Sequence, residues 1–93
     1  MSALSTVRDC FDRLAILYRD TDTSTRQLAL QLFAVAGDLD TDVGITTADS
    51  LLTSCELVEE ARTSFDIRFG FYAGIPAEIR AAREALEKYE ASR

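Results

Sequence analysis

The sequence predicts an all-α fold, a small four-helix bundle with helices of uneven length, formed by residues 1–93 as a single helical domain. Three observations lead to this prediction. Apolar residues recur at intervals of three and four in at least three segments, which is the period of a helix. These segments are bounded by capping residues or by glycine. The chain length of 93 residues and a hydrophobic fraction of 47% are typical of one compact core.

The N-terminal half of the chain contains two predicted helices. The first runs from about residue 5 to residue 19, with Ser5 as its N-cap. Its apolar stripe consists of Leu4, Val7, Phe11, Leu14 and Tyr18. The second follows a capping box at residues 24–27, in which Ser24 caps and Gln27 reaches back, and it stops at Gly37. Its buried side consists of Leu28, Leu32, Val35 and Ala36.

The C-terminal half contains the other two predicted helices. After a loop over residues 38–47, the third helix begins near residues 46–49, with Thr46 and Asp49 as competing N-caps, and ends near residue 63 or 64. The last helix has Pro76 in its first turn and runs to about residue 90. The aromatic segment 65–74 between them is either an irregular connection that plugs the core or a final helical turn. Periodicity leaves both open.

Composition excludes several classes of function. The chain has no histidine, which removes Ser-His and Cys-His nucleophilic pairs and histidine-containing zinc sites. Acid–base chemistry on carboxylates alone remains open, but no isolated carboxylate pair in an apolar setting suggests it. We therefore predict that the chain is not an enzyme, with no catalytic residue and no metal. A net charge of −6 argues against nucleic-acid binding. No apolar run is long enough for a membrane span, so we predict a cytoplasmic protein without membrane contact. The cysteines, Cys10 and Cys55, are predicted to be reduced and buried.

Acidic charge is concentrated in the middle of the chain. No basic residue lies between Arg26 and Arg62, and this stretch contains seven acidic residues: Asp38, Asp40, Asp42, Asp49, Glu56, Glu59 and Glu60. One interpretation is a solvated face that keeps the protein soluble. The other is a docking surface for basic surfaces of partner proteins, with Glu56, Glu59 and Glu60 as the contacts.

The acidic run over residues 38–49 also has some features of a calcium loop. Aspartates fall at positions one, three, five and twelve of such a loop. Its sharp turn requires glycine at position six, where this sequence has Val43, and Gly44 comes one residue later. An Asx-rich loop that leads into a helix cap explains the same residues better.

One segment resembles the acyl carrier protein family. The residues that carry the resemblance are Ala48-Asp49-Ser50-Leu51, then Glu56-Leu57-Val58-Glu59-Glu60, then Phe65-Asp66-Ile67. In that family an Asp-Ser-Leu triplet opens the second helix of a small acidic four-helix bundle, and an acidic helix follows. The match covers about twenty residues, and the interval from Ser50 to Glu56 is one residue longer than is usual in the family.

The resemblance implies a carrier function. Ser50 would accept a phosphopantetheine arm, Asp49 would help to position it, and Leu51 would pack beneath to fix the turn. A helix start suits a phosphodiester because free amides and the helix dipole favour negative charge there. The alternative is a small acidic interaction module, an adaptor, inhibitor or assembly subunit. Its contacts would include the aromatic residues Phe69, Phe71 and Tyr72, unless these fill the core.

Overall fold

A computed structural model describes residues 2–21, 23–65 and 74–93 of the chain. These residues form four α-helices: α1 (Ala3–Thr21), α2 (Arg26–Ala36), α3 (Asp42–Phe65) and α4 (Gly74–Ala91). A short 3-10 turn, Thr23–Thr25, lies between α1 and α2. Over the described ranges there is no β-strand. The helices have 19, 11, 24 and 18 residues, which confirms the predicted all-α fold with helices of uneven length.

The four helices pack as a small elongated bundle. α1 makes its most extensive contacts with α2 and α4, and α3 packs against both of these helices. The principal dimensions are 41 × 21 × 20 Å. Within the described part of the chain, no helix combines the length and the apolar character that a membrane crossing needs.

The predicted apolar stripes form the core. Val7, Phe11, Leu14 and Tyr18 of α1 are fully buried, and Leu4 packs against them from the edge. Leu32 of α2 is fully buried, while Leu28 of α2 is only partly so. The other helices contribute Leu52, Cys55, Ile79, Ala82 and Leu86. Both cysteines are buried free thiols, as predicted.

The helix starts differ from the sequence prediction. At α1 the cap is Ser2, not Ser5, because Ser2 Oγ accepts a hydrogen bond from the Ser5 amide at 3.1 Å. At α2 the N-cap is Thr25 rather than Ser24. The hydroxyl of Thr25 donates to the Tyr18 carbonyl at 2.8 Å, so that the turn is tied to the end of α1. Gly37 ends α2, as predicted.

The largest correction concerns α3, which begins at Asp42 and not near residues 46–49. Thr41 is the cap, since its Oγ1 accepts a hydrogen bond from the Gly44 amide at 2.9 Å and donates one to the Asp38 carbonyl at 2.8 Å. The predicted loop over residues 38–47 is thus reduced to a short connection. Gly44 lies inside the helix, and only glycine fits there, because a Cβ would collide with the Asp38 carbonyl oxygen.

The last connection is only partly described. α3 ends at Phe65, one or two residues later than predicted, and α4 starts at Gly74 with Pro76 in its first turn. The predictions for the aromatic segment, including the contact patch of Phe69, Phe71 and Tyr72, fall on residues outside the described ranges.

Candidate functional site

Ser50, the predicted attachment residue, lies on the surface of α3 but not at its start. Ser50 and its neighbour Asp49 are exposed, whereas Leu51 is buried beneath them. Because α3 begins at Asp42, Ser50 is two turns into the helix. The unpaired amides of the helix N-terminus therefore belong to the first turn and not to Ser50. A phosphodiester on this serine would therefore not be stabilised by the free amides of a helix start, contrary to the sequence-based expectation.

Asp49 and Glu56, two of the acids singled out by sequence, are held by one arginine of α4. Arg83 donates to Glu56 Oε1 from Nε at 2.8 Å and from Nη2 at 2.6 Å. Its Nη1 donates to Asp49 Oδ1 at 2.9 Å. This two-carboxylate contact fastens α3 to α4 on the surface of the bundle. Both carboxylates thus already have a basic partner within the chain.

Glu59, predicted to contact partner proteins, is instead part of a buried polar cluster. Its side chain lies between α1 and α3 and only 6% of the residue is exposed. Tyr18 donates a hydrogen bond from its hydroxyl to Glu59 Oε2 at 2.8 Å, and Arg62 Nη1 donates to the same oxygen at 3.0 Å. The Arg62 guanidinium also lies over the Tyr18 ring, 5.6 Å from its centre. Glu59 is therefore a structural residue, while Glu60 beside it is exposed.

The buried cluster shifts the proton affinities of its members. Burial is the main cause that raises the pKa of Tyr18 far above its ordinary value, and the nearby Cys55 and Glu59 add to it. Burial likewise raises the pKa of the Cys55 thiol to about 12. Both groups are therefore neutral at physiological pH, and neither is an activated nucleophile. Sequence offered a signal for Glu59, because it follows Cys55 by four residues on the buried stripe of α3.

A different surface, which sequence reasoning missed, has the features of a binding site. It is the α2 face, which we define as the exposed residues Leu30, Phe33 and Ala34. Leu30 is 57% exposed and Phe33 is 36% exposed. Leu30 precedes Ala34 by four residues, so the two lie on the same side of the helix. Together they form an apolar strip on the outside of the bundle.

The α2 face borders a cleft between α2 and α3. The cleft has a volume of about 230 Å³, and its walls include Ala34 and Val35 from α2 and Val43 and Leu51 from α3. Val43 is 77% exposed at the rim. The signal for this surface was the composition of α2, whose sequence RQLALQLFAVA has more apolar residues than one buried side requires.

One end of the cleft is acidic. We call residues 37–41 the acidic connection, since they join α2 to α3 and expose Asp38 and Asp40. Asp38 lines the cleft itself. Asp42, the next acid along the chain, accepts a hydrogen bond from Arg93 at 2.6 Å. Among the residues that the structure describes, no group of three or more acidic or cysteine side chains is arranged to hold a metal ion.

Comparison of the chain with protein-family models, with curated proteins and with solved structures finds no match. The surfaces and contacts of the described residues are therefore the basis for a functional assignment.

Proposed function

We propose that the chain is a small helical protein-interaction module, an adaptor or assembly subunit, which docks through the α2 face and carries no chemistry of its own. The observation that supports this proposal is the exposure of Leu30 and Phe33 on α2, together with a cleft with apolar walls to which Ala34 of the same face contributes. Contiguous apolar patches with polar rims are typical of protein-binding surfaces. An apolar groove between helices is also a common receptor for a partner helix.

The charges around the α2 face favour a partner with basic groups. Asp38 and Asp40 are exposed at the end of the cleft. Asp42, Asp49 and Glu56 pair with arginines of the same chain. We therefore propose the acidic connection, rather than residues 56–60, as the part of the acidic middle that meets basic groups of a partner.

The proposal is tested by photo-crosslinking in the protein's native cells. A photoreactive amino acid at position 30 should give covalent adducts with protein, because position 30 lies in the docking surface. The matched control is position 57, where Leu57 is 61% exposed on α3 and outside the α2 face. Adducts from position 30 that exceed those from position 57 support the module. Equal yields, or no adduct from position 30, contradict it.

A carrier function is the second candidate, and the observation that favours it is the exposed Ser50 above buried Leu51. Under this function, coenzyme A and a permissive phosphopantetheinyl transferase add one phosphopantetheine mass to the chain. Ser50→Ala abolishes the addition. Ser54→Ala, which changes an exposed serine one turn later on α3, is the matched control and retains it. If several permissive transferases add no mass, the carrier function is wrong.

A further inference from the structure

We propose that the partner of the α2 face is a second copy of this chain, packed with its own α2 antiparallel to the first. This inference rests on the proposed interaction function and names its occupant. A twofold symmetric contact places the same surface on both sides, so each feature of the α2 face must meet its complement on the other copy. A symmetric dimer therefore requires α2 to be complementary to itself in charge and in shape.

The charges of α2 are self-complementary in the antiparallel direction. Arg26, at the N-terminal end of α2, is exposed. Asp38 and Asp40 lie exposed just beyond the C-terminal end. In an antiparallel pair, Arg26 of each copy lies beside these two aspartates of the other. The positive end of each helix dipole then faces the acidic connection, which adds to the attraction.

The apolar residues fit the same register. If Arg26 lies opposite Asp38, then Leu30 lies opposite Ala34, because residue numbers across an antiparallel pair have a constant sum. A large side chain thereby meets a small one on each side of the twofold axis, and Phe33 lies opposite Gln31. Gly37, also exposed, faces Gln27 and leaves room for it. One register thus pairs the opposite charges and seats Leu30 against Ala34 twice.

The size of the contact predicts a weak dimer. α2 has 11 residues and is about 16 Å long. A single helix of this length, together with the rim of α3, buries less than the roughly 1,200 Å² that stable complexes reach. The net charge of −6 on each copy also opposes association at long range. We therefore expect a dimer that dissociates on dilution.

Cysteine crosslinking of the full chain tests the register directly. The double variant Gln27→Cys/Gly37→Cys should form a disulfide-linked dimer under mild oxidation, because the same register pairs these exposed positions and the charges at residues 26 and 38 are kept. Positions 27 and 37 of one chain are about 15 Å apart along the helix axis, and a disulfide requires Cα atoms within about 7 Å, so the new bond has to join two chains. The native thiols, Cys10 and Cys55, are buried and contribute little background.

Two controls accompany the double variant. Neither single variant should form a disulfide-linked dimer, since equivalent positions of the two copies are also about 15 Å apart in the antiparallel register. Circular dichroism should show a native helical spectrum for all variants, because both positions are exposed. Dimers from the single variants in equal yield would indicate random collision or a parallel pair. No dimer from the folded double variant would likewise overturn the inference.

A charge exchange provides an independent readout by sedimentation across a range of concentrations. Arg26→Asp alone and Asp38→Arg alone should each weaken the dimer about tenfold, since the twofold axis repeats every lost pair. The double exchange should restore association. If the double exchange associates no more strongly than the two single variants, the register is wrong. Position 30 could instead crosslink to a different protein while the double cysteine variant forms no disulfide-linked dimer. That result would refute this inference and leave the proposed interaction function standing.

Discussion

Replacing Tyr18 with phenylalanine tests the assignment of Glu59 to the core rather than to a docking surface. Tyr18 is completely buried, and its hydroxyl donates to Glu59 Oε2 at 2.8 Å, with the Cys55 carbonyl oxygen 3.3 Å away. The variant keeps the ring and removes this donor. A hydrogen bond to a charged group contributes about 1.5–3 kcal/mol. Glu59 retains its 3.0 Å contact with Arg62, so we expect a loss near the middle of that range, about 2 kcal/mol.

The assay is urea unfolding followed by circular dichroism, with the free energy of unfolding extrapolated to water. Tyr89→Phe is the matched control. Tyr89 lies on α4 and is only partly buried, with its ring near the guanidinium of Arg93. Its hydroxyl should matter by no more than about 0.5 kcal/mol. If Tyr18→Phe also changes the free energy of unfolding by less than about 0.5 kcal/mol, the buried cluster does not stabilise the fold as described.

Three further predictions concern single residues. Gly44→Ala should destabilise the chain by about 1–3 kcal/mol in the same urea assay, because the new Cβ collides with the Asp38 carbonyl, whereas Gly74→Ala, with no atom within 4 Å of its Cβ, should cost nothing. Ser50→Ala should raise stability by a few tenths of a kcal/mol, since alanine favours an exposed helix interior; a loss of about 1 kcal/mol would instead indicate a capping role. The raised pKa of Cys55 means that the folded chain keeps a proton that the unfolded chain releases. Stability should therefore be complete below about pH 8.5 and fall as pH rises towards 12, and Cys55→Ala should remove one part of this decline, while the parts due to Cys10 and, above about pH 10, to Tyr18 remain.

The helices whose apolar stripes are regular were predictable from sequence. The stripe of Val7, Phe11, Leu14 and Tyr18 identifies α1, and Ile79, Ala82 and Leu86 identify α4, since intervals of three and four have few other structural explanations. Both helices extend only one or two residues beyond the predicted ends. In these two helices, the apolar spacing in the sequence and the packing of the folded chain favour the same structure.

The start of α3 was not predictable in the same way. Asp, Thr and Gly near residues 38–47 are typical of loops, and glycine lowers helix propensity by about 1 kcal/mol. Thr41 starts the helix by capping the Gly44 amide, and position 44 must be glycine because the backbone of Asp38 passes too close for any side chain. An apolar stripe gives no signal for this cap. The error moved Ser50 from the interior of a helix to its start, and the carrier prediction depended on that position.

The candidate surfaces were predictable only in part. The sequence shows that acidic residues are concentrated in the middle of the chain. It does not show which side chains they contact, because those partners lie far away in the sequence. Glu59 bonds to Tyr18, 41 residues earlier, and Asp49 bonds to Arg83, 34 residues later. A search for single apolar stripes assigned Leu32 and Val35 of α2 to the core. It passed over Leu30 and Phe33, which remain exposed once the core is filled.

The central claim is that the α2 face is the docking surface. The most direct measurement is the intensity of backbone amide NMR signals of the isotopically labelled chain, recorded at low concentration in buffer, at high concentration in buffer, and at low concentration in an extract of its native cells. Binding at the α2 face predicts a selective loss of intensity over α2 and the acidic connection. Leu30→Asp should restore those signals, whereas Leu57→Asp should not. A loss centred on the surface around Glu56 and Arg83, or one spread evenly over all four helices, would contradict the claim.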